Sequence, residues 1–167
     1  MTPYVADPVY LNGRFLPLAE AGISPLDRGF LYGDGVYELI PVYSRRPFRL
    51  AEHLTRLQAT LDGIRLTNPL DVAGWTAVVE RLVAEAPWAD QSIYLQITRG
   101  AAPRTHYFPA ATTLPTVFLS TSPFTPNTAQ REAGATAVTY PDIRWSRCDL
   151  KTVNLLGAVL AKQHAVA

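Results

Sequence analysis

The 167-residue sequence predicts an α/β fold of the two-layer α+β kind, with helices lying beside a largely antiparallel sheet. Three observations carry that prediction. Asn12-Gly13, the dipeptide preferred in a type I′ hairpin turn, separates Val9-Tyr-Leu11 from Arg14-Phe-Leu16. Two windows repeat apolar residues at intervals of three and four, as one face of a helix does. Several runs rich in β-branched and aromatic residues surround those windows and read as strands.

In chain order the hairpin comes first. A glycine-punctuated loop, Asp27-Arg-Gly-Phe-Leu-Tyr-Gly-Asp-Gly35, leads into a strand over 36–43, and Ser44-Arg-Arg-Pro47 turns that strand into Phe48 to Leu50. Leu54, Leu57, Leu61 and Ile64 predict an amphipathic helix over 51–64; Trp75, Val79, Leu82 and Val83 predict a second over 72–86. Strands are expected at 92–99 and 116–121, parted by a loop holding Pro103, Pro109 and Pro115. Ser122-Pro-Phe-Thr-Pro-Asn-Thr-Ala-Gln is polar and carries two prolines, so it reads as a linker. The expected organisation is therefore an N-terminal α/β domain at 1–121, a linker at 122–130, and at 131–167 the incomplete start of a second domain. Within that last unit, Ile143 and Trp145 alternate with Arg144 and Ser146 like a strand. From Thr152 onward Leu155, Leu156, Val159 and Leu160 recur with helical spacing. Chains near ~40 residues seldom build a sufficient core alone, and no capping glycine closes the last helix, so the end reads as a truncation.

Charge and composition narrow the partners. With 48% hydrophobic and 17% charged residues the chain is neither disordered nor fibrous. Fifteen basic side chains against fourteen acidic ones give a formal charge of +1, which leaves no electrostatic case for nucleic acid or an acidic membrane surface. Cys148 is the single cysteine, so an intrachain disulfide is excluded and a reducing, cytoplasmic setting is expected. The opening residues lack the basic-then-apolar pattern of a leader, and the longest apolar run, 155–161, is too short to span a bilayer. No metal-ligand set is expected.

Chemistry concentrates at a few positions. Lys151 lies near the expected strand-to-helix junction, a place where free backbone donors and the mouth of an α/β layer favour ligands. Most lone lysines are simply solvated. Arg104 and His106, two residues apart in the proline-rich loop, point the same way in extended backbone and suit a carboxylate clamp, though two solvated loop residues fit the same spacing. Gly33-Asp-Gly-Val-Tyr-Glu38 is like a phosphate loop but runs into a strand and lacks the lysine and hydroxyl of one. Arg56 sits between Leu54 and Leu57, either snorkelling off the apolar face or awaiting an anion.

Six separated motifs point to a family. Asp27-Arg-Gly, Gly33-Asp-Gly-Val-Tyr-Glu38, Glu52-His-Leu-Thr-Arg56-Leu, Gln96-Ile-Thr-Arg-Gly100, Pro103-Arg-Thr-His106 and Cys148-Asp-Leu-Lys151-Thr-Val-Asn-Leu-Leu-Gly together resemble the class IV, fold type IV, pyridoxal-phosphate aminotransferases. The resemblance covers essentially the whole chain in the family's order and is strongest to members that act on D-amino acids. It implies the small N-terminal domain of such an enzyme plus the start of its larger domain. It implies pyridoxal 5′-phosphate as cofactor, Lys151 as the Schiff-base lysine and Arg56 as a contact to the cofactor phosphate. Tyr37, Arg104 and His106 become the trap for the substrate α-carboxylate, with the Arg and His supplied by the partner of a homodimer. Arg144 and Trp145 match residues near the cofactor without a defined role, Glu38 is expected behind the site, and His53 is expected to cover its helix.

The implied reaction exchanges an amino group between a D-amino acid, such as D-alanine or D-glutamate, and a 2-oxo acid. Relatives acting on branched-chain amino acids, and aminodeoxychorismate lyases, are the alternatives within the family. Outside it stands a non-catalytic dimerisation or binding domain. The family's acidic partner of the pyridine nitrogen and most of its phosphate donors follow the lysine helix and are absent from this sequence.

Overall fold

The computed structural model describes residues 5–166. Residues 1–4 and Ala167, with which the first and last expected units begin and end, lie outside the described residues. Among the described residues six strands form one sheet, and every neighbouring pair in it is antiparallel.

β1 (Val9–Leu11) and β2 (Arg14–Leu16) are the expected hairpin. Asn12 and Gly13 both take positive φ, 48° and 89°, as a type I′ turn requires. The Asn12 side chain also accepts from Val117 N at 2.7 Å, tying the turn to β6. Inside the glycine-punctuated loop lies a helix the sequence did not announce, α1 (Arg28–Tyr32). Its N-cap is Asp27, which accepts from Gly29 N at 2.8 Å, and Gly33 closes it in the left-handed conformation.

β3 (Gly35–Tyr43) follows, and a tight turn at Ser44-Arg45 returns the chain as the two-residue strand β4 (Arg46–Pro47). Neither turn residue is glycine, although both take positive φ. Outside help holds them: Asp90 accepts from Ser44 N at 2.7 Å, and the Arg45 guanidinium donates to the Val83 and Ala86 carbonyls. The turn expected at Ser44-Arg-Arg-Pro47 is thus in place, and beyond Phe48 the chain passes straight toward the next helix. Arg49 is left-handed there, and Leu50 already belongs to α2.

α2 (Leu50–Gly63) and α3 (Val72–Glu85) lay their apolar stripes on one face of the sheet. Leu54, Leu57 and Leu61 meet Trp75, Val79, Leu82 and Val83 over Val36, Ile40 and Val42 of β3, with Ile93, Leu95 and Ile97 of β5 (Gln91–Thr98). Asp71 caps α3 through Gly74 N, and the Trp75 indole donates to Asn68 at 2.9 Å, so the largest buried ring is also satisfied in its one polar atom. β6 (Thr116–Pro123) completes the layer between β5 and β1.

Past the sheet the chain is mostly exposed. The stretch expected as a linker, 122–130, begins inside β6 and ends inside α4 (Thr128–Ala133). The strand expected at Ile143 to Trp145 does not form: Asp142 accepts from Arg144 N at 3.0 Å and also binds its guanidinium, so a local side-chain turn replaces strand pairing. The last helix, α5 (Leu156–His164), starts four residues later than its apolar spacing suggested. The reason is that Thr152 forms an antiparallel bridge with Val36, and Val153 N donates to Gly35 O at 3.1 Å. With Val153 N donating to the sheet edge and Lys151 O accepting from it, the backbone here is held in bridge geometry and the helical turn begins only beyond it. No helix among the described residues is long and apolar enough to cross a membrane.

Candidate active site

β4 pairs with β3 only at Val42 and Tyr43, which leaves the Gly35–Glu38 end of β3 as a free edge. The segment carrying Lys151 fills it. Tyr37 N donates to Lys151 O at 3.1 Å and Val153 N returns the bond to Gly35 O. Leu150 and Thr152 are the only buried residues beyond position 123 among those described, so the lysine is flanked by the two anchors of its own segment. Leu150 seats against Gly63 at the end of α2, where a Cβ would strike its Cδ2. Asn154 lies against Gly33, where a side chain would overlap its amide oxygen. The glycines of the Gly33-Asp-Gly35 motif thus make room for the lysine segment and for β5, since a Cβ on Gly35 would sit 2.8 Å from Ile97 O.

Lys151 projects from this anchored backbone over Tyr37, with Nζ 3.9 Å from the ring centroid. No carboxylate pairs with the amine among the described residues. Arg144, Trp145, Cys148 and Asn154 line the same cleft of about 180 Å³. Arg144 is turned to Asp142, whose carboxyl it holds at about 2, and the Cys148 thiol donates to Trp145 O at 3.0 Å. On the far side of Tyr37 stands Tyr94, ring centroids 5.9 Å apart; burial, then the nearby Tyr37, pushes its phenol above the usual range. The sequence reading missed Tyr94 although the signal was present: Tyr94 and Gln96 alternate with the buried Ile93, Leu95 and Ile97.

Around the edge of β3, on the helical side, Glu38 is fully buried and grips Arg56 with both oxygens, at 2.7 Å from Nε and 2.6 Å from Nη2. Half of the Arg56 side chain remains exposed. The hydrogen bonds that Arg56 donates to Glu38 raise the arginine pKa further, outweighing partial burial. His53, expected merely to cover its helix, instead puts Nδ1 2.8 Å from the same carboxylate.

Arg104 and His106 are gathered elsewhere. Both lie beside Tyr32 at the end of α1, the guanidinium carbon 5.3 Å and the imidazole 5.5 Å from that ring. No described contact joins them to Lys151 or Tyr37. Their loop is fixed by Arg28, which donates to Thr105 O at 2.7 Å and stacks on Tyr32. Arg28 and Arg99 in turn share Asp34, at 2.8 and 2.9 Å. Burial pushes the Asp34 carboxyl up, but the hydrogen bonds from Arg99 and Arg28 outweigh it and leave the carboxyl below its usual value.

Lys151 and Arg56, on the two sides of the same β3 edge, fit pyridoxal phosphate by their chemistry. An amine that no described carboxylate engages can condense with an aldehyde, and the Tyr37 ring beside it offers a flat apolar surface to a planar cofactor. Glu38 engages the Nε–Nη2 side of the Arg56 guanidinium and Nη2 also lies 3.3 Å from His53 Nδ1, which leaves Nη1 without a partner among the described residues and open to a phosphate.

The chain belongs to the class IV aminotransferase family, whose model matches residues 35–167. It is 40% identical over 158 residues to a D-alanine aminotransferase of Staphylococcus epidermidis, covering 95% of this chain and 56% of that relative. It is similar in structure to a T.th. branched-chain amino acid aminotransferase complexed with N-(5′-phosphopyridoxyl)-L-glutamate, at TM-score 0.83 and 25% identity over 96% of this chain and 55% of the other. A 4-amino-4-deoxychorismate lyase from Pseudomonas aeruginosa matches at TM-score 0.65 and 28% identity, over 93% and 56% of the two chains. The chain spans a little over half the length of the curated relatives it matches.

Proposed function

We propose that this chain serves a pyridoxal-phosphate-dependent transamination between a D-amino acid, with D-alanine or D-glutamate as the expected donors, and a 2-oxo acid. The observation that carries the reading is the Lys151 amine, fixed by its backbone on the β3 edge and held 3.9 Å from the Tyr37 ring. That the 40% identical relative is a D-alanine aminotransferase supports the donor class. When bound, the cofactor would be held covalently by Lys151 and through its phosphate by Arg56, and it supplies the electron sink that makes a Cα carbanion accessible.

The chain's own residues then divide the remaining work. Lys151 Nζ, as a free amine, takes the proton from the substrate Cα, and its conjugate acid later gives a proton back. The anchors Leu150, Thr152 and Asn154 limit how far Nζ can stray from that atom. Tyr37, with Arg104 and His106 of a second copy, binds the α-carboxylate and so sets which Cα face meets the amine. That assignment suits the separation of Arg104 and His106 from Tyr37 within one chain and makes the working form a homodimer. In the same reading 131–167 begins the cofactor-binding unit, 122–130 connects it to the 1–121 domain, and the single cysteine suits a cytoplasmic setting.

The test is amino transfer from D-alanine to 2-oxoglutarate, followed as pyruvate. Turnover of D- but not L-alanine, abolished by Lys151→Ala, is the expected result. Preference for L-leucine would move the reading to the branched-chain relatives, and folded protein without transfer activity toward either would move it to a binding domain.

A further inference from the structure

Glu38 is the one feature of the β3 edge that packing does not explain. It lies on the core face between Val36 and Ile40, fully buried, where an apolar residue would fit the surrounding leucines and valines. A buried ion pair is weak evidence for stability, because desolvating both charges offsets their attraction. Its geometry is instead that of an orienting device. Both carboxylate oxygens are spent on one edge of the Arg56 fork. Oε2 also takes His53 Nδ1, one helical turn earlier on α2. An ionised carboxylate only accepts, so His53 carries its proton on Nδ1 and donates. With three donors converging on one buried carboxylate, Arg56 loses the rotamer freedom of a half-exposed helical arginine.

Resting on the reading of Arg56 as the cofactor-phosphate residue, we infer that Glu38 and His53 are positioning residues that hold the Arg56 fork with its free edge toward a phosphate monoester. The carboxylate contacts the Nε–Nη2 edge of the planar group, and Nη1 with the outer hydrogen of Nη2 forms the adjoining end-on edge, of the kind that binds phosphate bidentately. Neither Glu38 nor His53 touches the ligand in this arrangement. Each acts only through Arg56.

The experiment compares equilibrium binding of pyridoxal phosphate and of pyridoxal, which lacks the phosphate, by absorbance titration of the protein. Wild type, Arg56→Lys, Glu38→Gln, His53→Leu and His53→Asn are titrated alike, with thermal melts to establish folding. The expected result is a strong preference for the phosphorylated form in wild type. That preference falls about tenfold or more in Glu38→Gln and His53→Leu, in line with the ~10–100-fold effects of residues that orient a direct ligand. Pyridoxal affinity stays unchanged, and His53→Asn, which keeps a donor near the Nδ1 position, restores the preference. If Glu38→Gln does not fold, the two His53 variants decide. If Arg56→Lys collapses the preference while folded Glu38→Gln and His53→Leu keep it, the positioning role is overturned and the Arg56 reading stands. If wild type does not distinguish the two ligands, or Arg56→Lys leaves the preference intact, the Arg56 reading itself fails and the inference falls with it.

Discussion

Asp34 shows how a single residue can serve both the fold and the site. Its carboxylate lies between Arg28 and Arg99, both nearly buried, and each arginine reaches on to backbone carbonyls: Arg28 to Thr105, and Arg99 to Ile64 and Arg65. The loop bearing Arg104 and His106 therefore hangs on this one acid. Because its native pKa is depressed, Asp34 contributes stability that is complete above the unfolded aspartate value of ~3.9. That contribution is lost as the pH falls through the native value. Asp34→Asn is expected to cost roughly 3–5 kcal/mol near neutral pH, the usual penalty for stripping a buried charge of its partner. Urea unfolding at a series of pH values should show the gap between wild type and variant closing in acid. Parallel curves would mean that the arginines find other partners.

At the level of elements, the decisive event is the capture of the 151–153 segment by the free edge of β3. The sequence made Lys151 stand out and showed β3 plainly, but not that the two would join. Thr152-Val153 reads locally as the start of a helix, and only the unpaired end of β3, set by the short β4, offers it another partner. Ile143 to Trp145 failed in the opposite way: the alternation was there, but no edge was, and Asp142 took the backbone donor first. Gly33 is where the capture can be tested. Its φ of 67° and the Asn154 amide resting against it predict two separate penalties for Gly33→Ala. The backbone contributes ~1–2 kcal/mol, and the overlap adds more. A double-mutant cycle with Asn154→Ala should remove the second penalty and leave the first. Strict additivity would mean that Asn154 does not brace the lysine segment.

For the molecule as a whole, the helical stripes, the hairpin dipeptide and the central strands were legible because each is a local pattern with its own period or turn chemistry. The order β2-β1-β6-β5-β3-β4 was not, since it depends on pairings between residues as distant as Tyr10 and Leu119. The site divides along the same line. Lys151, Tyr37 and Arg56 were named from motifs, and the fold brings them to one sheet edge. Glu38 was expected behind the site, but its grip on Arg56, its bond with His53 and the Tyr32 ring beside Arg104 and His106 needed three-dimensional contacts to be seen.

Everything proposed for this molecule depends on Lys151 being the amine that takes the cofactor. The most direct measurement is to add pyridoxal phosphate to the purified protein, reduce with borohydride and map the phosphopyridoxyl group by peptide mass spectrometry. A stoichiometric adduct on Lys151, absent in Lys151→Ala and not transferred to Lys162, is the expected result. Labelling scattered over other amines, or none at all, would contradict it and leave a folded domain whose β3 edge has another use.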